Sequence, residues 1–131
     1  MLPGGYHAYQ RVQTETSSPG QLVVLLYEAL LTDLQRADAA LADGDSEMAH
    51  ARLMRAQAIV LELGASLDRS YGEIPEQLGA LYGYAYRRLL DANLQKDRAA
   101  VVEVAALMRP LRDAWLQAVA AAGRPAPVER S

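Results

Sequence analysis

Four stretches of the chain place apolar side chains in alternating steps of three and four, the spacing that lines one side of a bundle helix. In the first, predicted over 19–42, the seam is Val23, Tyr27, Leu30, Leu34, Ala37 and Leu41. The second, 46–69, repeats the rule with Ala49, Leu53, Ala56, Val60, Leu63 and Leu67. The third, 74–93, uses Leu78, Tyr82, Ala85, Leu89 and Ala92. The fourth, 97–122, uses Val101, Val104, Met108, Leu111, Trp115, Ala118 and Ala122. The breaks between them have their own chemistry. Ser18 and Gln21 form a capping box around Pro19, a residue suited to the first helical position. Asp43, Gly44 and Asp45 end the first helix, Tyr71 and Gly72 the second, and Gly123 the fourth. Such short connections make successive helices antiparallel neighbours. The pattern therefore predicts an all-α, antiparallel up-down four-helix bundle, with no strand pattern and no internal repeat. It divides the chain into an N-terminal segment (1–17), the bundle (18–123) and a loose C-terminal tail (124–131). One residue conflicts with local propensity: Pro110 cannot donate to the carbonyl of Ala106, so a kink is expected there, on the side away from the core.

Two features exceed what a bundle needs. Residues 22–27 read LVVLLY, apolar on every side, whereas a helix packed on one face needs only a third to a half of its surface apolar. The chain also carries seven tyrosines and no phenylalanine. Tyrosine joins apolar area to a wet tip, which suits sites that are sometimes buried and sometimes exposed. Tyr82, Tyr84 and Tyr86 cluster in LYGYAYRRLL, while Tyr6 and Tyr9 stand three apart in a segment that reads as one that docks. Together with the apolar surplus of the first helix they point to a peptide-binding groove.

Composition narrows the chemistry. With 131 residues, 51% of them apolar, the chain is one domain with a single substantial core. A net charge of −3 argues against a nucleic-acid partner, because no basic excess exists to neutralise phosphates. No cysteine is present, so disulfides, thiol catalysis and cysteine-based zinc sites are excluded. Residues 1–17 carry no apolar core of a secretory signal, and no uncharged run approaches the roughly 20 residues of a membrane span. The expectation is a cytoplasmic protein without stable membrane insertion. Catalysis finds little support. His7 and His50 fall in different elements, and the Glu-x-x-His pairs of a di-iron bundle are missing. No enzyme activity, metal or cofactor is expected. His50 reads as a solvated helix residue, Met48, Met54 and Met108 as core filler, and the pairs Arg87/Arg88 and Arg109/Arg112 as solvated ion pairs.

Several pieces, in this order and spacing, resemble the flagellar secretion chaperone family (FliS). They are AYQRV from Ala8, the Ser17-Ser18-Pro19 start of the first helix, LYEAL from Leu26, and RAQAIVLEL from Arg55. SLD from Ser66, LYGY from Leu81, RRLLDAN from Arg87 and LRDAW from Leu111 continue the series, so the likeness spans nearly all of 6–120. Ala29 stands where the family usually has glycine, and Pro110 is atypical. The resemblance implies a four-helix bundle preceded by an N-terminal cap, whose apolar residue and tyrosine fall on Tyr6 and Tyr9. It implies a cytosolic chaperone that binds the disordered C-terminal segment of flagellin, prevents premature polymerisation and delivers it to the export gate. The groove and cap are expected to use Tyr6, Tyr9, Val24, Tyr27, Leu31, Leu81 and Tyr84. Two rivals share the fold: an adaptor for another export or regulatory partner, and a small bundle enzyme or metalloprotein.

Overall fold

A computed structural model describes residues 19–67 and 73–123, and these form four helices. Helix α1 is Pro19–Ala42, α2 is Ser46–Ala65, α3 is Glu73–Gln95 and α4 is Arg98–Gly123. The first matches its expected span. Ser18, half of the expected capping box, and Tyr71-Gly72, the expected stop of α2, lie outside the described residues.

Local chemistry sets the ends. Past α1, Gly44 takes a φ of 75°, a left-handed turn that glycine adopts without strain, and Asp45 N–H returns to the Ala40 carbonyl at 2.8 Å. The Asp45 carboxylate then accepts the Met48 N–H at 3.1 Å, capping α2. Helix α2 stops four residues before the expected 69. The Ser66 hydroxyl donates to the Leu63 carbonyl at 2.8 Å and its N–H to the Glu62 carbonyl at 3.1 Å, which closes the last turn. At the other hairpin Lys96 turns left-handed with φ 53°, and Asp97 N–H reaches the Ala92 carbonyl at 3.0 Å. The Asp97 carboxylate caps α4 through the Ala99 N–H at 2.9 Å.

Helix α1 packs on α2 and α4, and α3 packs on the same two, so α1 and α3 face each other across the diagonal. Ion pairs fix the directions. Asp38 of α1 meets Arg98 of α4 at 2.8 Å, and Glu28, ten residues earlier, meets Arg112, fourteen residues later, at 3.5 Å. One index rises as the other falls, so these neighbours are antiparallel. The expected up-down bundle is the observed fold.

The core follows the seams. Tyr27, Leu30, Leu34, Leu53, Val60, Leu63, Leu89, Val101, Val104 and Met108 are wholly or almost wholly buried. Near the end closed by the two short turns, Ala37, Ala49, Ala92 and Ala100 are fully buried, and such small side chains let the helices approach closely. Two expectations need correction. Met48 and Met54 are not core filler, being 44% and 50% exposed, because both project from the side of α2 opposite its seam or flanking it. Ala118 and Ala122 are exposed; the register of Glu28 with Arg112 brings the last turns of α4 level with the first turn of α1, at the half-buried end of the bundle. Helix α4 continues past Pro110, whose ring is exposed.

One charge lies inside this frame. Asp33 is 2% exposed, accepts from Arg52 at 3.0 Å, and places its second oxygen 3.5 Å from the Arg55 guanidinium without completing a hydrogen bond. Removing a partner of a buried charge strands it, at roughly 3–5 kcal/mol where no other partner remains. Arg55 remains here, so Arg52→Ala is expected to cost about 2 kcal/mol in urea unfolding. The exposed Arg98–Asp38 pair is the control: a loss in Arg52→Ala no greater than in Arg98→Ala would show that burial of Asp33 carries no weight.

Candidate functional site

The ends of the bundle are unlike. Opposite the alanine-lined end, large side chains are only partly buried: Val23 and Leu26 of α1, Leu67 after α2, Leu78 of α3, and Leu111 and Trp115 of α4 all pack on the core while keeping some access to solvent. Here the first turns of α1 and α3 meet the last turns of α2 and α4.

A hydroxyl network marks the border. The Tyr27 ring of α1 lies 6.4 Å from the Tyr82 ring of α3, tilted by 51°, and the two hydroxyls hydrogen-bond across the diagonal. The Trp115 indole lies close enough to the Tyr27 hydroxyl to affect its ionisation, so α4 borders the same polar point. Burial pushes the Tyr27 phenol well above its ordinary 10.0, the Tyr82 hydroxyl adds to that rise, and Trp115 opposes it. Burial also raises Tyr82.

A second network lies on the outside, between α3 and α4. The Tyr84 hydroxyl donates to Glu103, and Arg88 Nε donates to the same carboxylate at 2.8 Å. These two donors, Tyr84 first, hold the Glu103 carboxyl below its usual range. On the opposite flank of α4, a cavity of about 350 Å³ is lined by Glu28, Leu31, Thr32, Gln35, Arg109 and Arg112. The Arg112 guanidinium donates to Asp113 at 2.7 Å and reaches Glu28. Elsewhere, His50 is exposed but not merely solvated, since its ring nitrogen meets the Asn93 amide at 2.9 Å between α2 and α3.

The residues expected to line a groove are therefore dispersed. Tyr27 is fully buried and Val24 is 8% exposed, so neither is surface in this structure. The seam spacing finds only the side facing the bundle centre. Val24 lies one turn before Glu28, on the side of α1 turned to α4, and a bundle helix has two neighbours to bury such flanks. Within 22–27 only Leu25 is exposed, which corrects the view of the apolar surplus as open surface. Leu31 is partly buried on one flank of α4, while the partly buried Leu81 and the exposed Tyr84 belong to α3 on the other. Helix α4 stands between them. Tyr6 and Tyr9 lie outside the described residues. Sequence reasoning placed Trp115 on a seam without giving it a partner, and it missed Glu103. The LRDAW motif carried the signal for the first; for the second there was none, because the pairing depends on the α3–α4 register.

This is an all-α bundle whose distinctive features are surfaces and joints between helices, and among its described residues no three metal-ligating side chains converge. No described helix is long and apolar enough to cross a membrane. The sequence pattern of the flagellar protein FliS family matches residues 3–122, and the chain belongs to that family of flagellar secretion chaperones. It is 38% identical over 114 residues to the flagellar secretion chaperone FliS of Bacillus subtilis (strain 168), covering 87% of this chain and 85% of the relative. Likewise it is 39% identical over 121 residues to FliS of Escherichia coli (strain K12), covering 88% and 89%. With the FliSB chaperone of Pseudomonas aeruginosa it shares 30% over 112 residues, 82% and 89% of the two chains.

The buried phenols make stability depend on alkali with a definite sign. A phenol whose folded-state pKa is raised contributes stability that is complete below the unfolded value near 10 and lost as pH rises above it, because only the unfolded chain releases the proton. Urea unfolding at pH 9 and pH 11 should show a steeper loss for the native chain than for Tyr27→Phe. Equal losses would mean that Tyr27 ionises in place.

Proposed function

We propose that the chain is a cytoplasmic flagellar type III export chaperone that binds the disordered C-terminal segment of flagellin. It keeps that segment from polymerising early and delivers it to the cytoplasmic domain of the export gate. The observation that carries this reading is the large, partly buried apolar cluster at one end of the bundle, Val23, Leu26, Leu67, Leu78, Leu111 and Trp115. A ligand that folds on binding needs apolar area to offset its ordering entropy, and this cluster offers it beside exposed Leu25 and Leu116. Membership of the secretion-chaperone family and the chaperone names of its relatives support the same reading. Leu31, Leu81 and Tyr84 are assigned as ligand contacts on the two flanks of α4, with Val24 and Tyr27 supporting them from beneath. Tyr6 and Tyr9 are assigned as the cap, a tethered competitor for the same surface. The chain acts by binding and carries out no reaction.

Calorimetric titration with the cognate flagellin C-terminal peptide tests this directly. The expected result is one-to-one binding with a large negative heat-capacity change, as apolar area leaves water. No heat and no shift in stability with that peptide would refute the reading in favour of an adaptor for another partner.

The cap makes a separate claim. In Tyr6→Ala with Tyr9→Ala the ligand no longer has to displace two rings, each contributing roughly 1.5–3 kcal/mol when buried. Affinity for the peptide should hold or rise by up to about 1–2 kcal/mol, while the free protein self-associates more readily. Direct contact of both tyrosines with flagellin predicts the opposite sign, so a clear loss of affinity in the double variant decides against the cap.

A further inference from the structure

Burial along α4 changes abruptly at Pro110. Before it, Ala100, Val101, Val104, Ala105 and Met108 are buried, and two salt bridges, Arg98–Asp38 and Glu103–Arg88, each close at 2.8 Å. After it no described residue is buried: Leu111, Arg112, Trp115 and Val119 are half-buried, and Leu116 is 43% exposed. Among the described interactions, what ties this part to the rest of the bundle is the longer 3.5 Å contact of Arg112 with Glu28 and the packing of Leu111 and Trp115. Pro110 itself supplies no N–H to the Ala106 carbonyl, so the helix has its mechanically weakest point where its grip on the core changes.

The antiparallel register shows what lies beneath. Glu28 stands level with Arg112 and Tyr27 meets Trp115, so the part of α4 beyond Pro110 runs back over the first turns of α1, toward Val23 and Val24. Leu31 lies beside Arg109 and Arg112 at the hinge itself, whereas Tyr84 is held by Glu103, seven residues before Pro110 and outside this part of α4. We propose that residues 111–123 form a hinged arm that swings about Pro110, uncovering the apolar start of α1 for an amphipathic helical segment. The arm covers in the resting protein the apolar area that the ligand later takes. This deepens the flagellin-binding reading and rests on it for the identity of the segment, whereas the hinge is a property of the free chain.

Hydrogen exchange of the intact free protein, read by mass spectrometry, tests the hinge. Amides of 111–123 should exchange at least tenfold faster than those of 100–109, with a step at Pro110, and Pro110→Ala should abolish the step while leaving α2 unchanged. Protection that decays smoothly inward from Gly123, or a step that survives in Pro110→Ala, overturns the hinge. The link to the ligand is read from stopped-flow fluorescence of Trp115, the chain's single tryptophan, mixed with the flagellin C-terminal peptide. Pro110→Ala should slow association several-fold; an unchanged association rate overturns the arm as the gate. Should the peptide bind neither form while the exchange step is present, the flagellin reading fails and the hinge stands.

Discussion

The hydrogen bond between the Tyr27 and Tyr82 hydroxyls is the joint on which the bundle's geometry depends. Helices α1 and α3 are diagonal partners and share little direct packing, so their relative height is otherwise fixed only through α2 and α4. Two phenols buried in an apolar interior must find partners, because an unpaired buried hydroxyl costs roughly 1–3 kcal/mol. Here the partner of each is the other. A shift of α1 against α3 by one turn, about 5.4 Å, would separate the hydroxyls and leave both unsatisfied. Leucine at either position would fill the space equally well and specify nothing about height.

Charge does the same work toward the closed end, under different rules. Asp33 with Arg52, Asp38 with Arg98, Glu103 with Arg88, and the His50–Asn93 contact join every adjacent pair of helices. Exposed pairs contribute little stability each, but an antiparallel set along two helices admits only one register. Buried Asp33 is the exception in strength, since its carboxylate tolerates no arrangement that removes both arginines. The opposite end has larger side chains and fewer latches, and the difference is one of sequence: alanine dominates the seams near the turns and leucine, tyrosine and tryptophan dominate far from them.

Much of this was legible in the chain. Heptad-like spacing located all four helices, and Pro19 with the Asp43-Gly44-Asp45 break fixed α1 at its observed bounds. The end of α2 was not legible, because a serine hydroxyl folding back on Leu63 leaves no periodic trace. The interior was read correctly on the seams up to the last turns of α4 and wrongly beside them. Val24 became interior, and Met48 and Met54 exterior, according to which flank of each helix met a neighbour. That depends on the order of helices around the bundle and on their heights, which the hydroxyl pair and the ion pairs set. Leu31 and Tyr84 are apolar or amphipathic and off the seam, as expected, but periodicity could not show that α4 would stand between them.

Placing the polar joint at the border, and not at either end, has a consequence for a bundle with one half-buried apolar end. Were Tyr27 and Tyr82 at the half-buried end, water reaching them would replace their mutual bond at little cost, and the joint would hold nothing. Were they among the alanines, the end bearing Leu78, Leu111 and Trp115 would have only the Glu28–Arg112 contact to set its register. At the border, the inner side of the network is dry and the outer side is capped by an indole that packs on the core while remaining partly open to solvent. Displacing Trp115 leaves the Tyr27–Tyr82 bond intact. The outer half of the bundle can loosen while the inner half keeps its register.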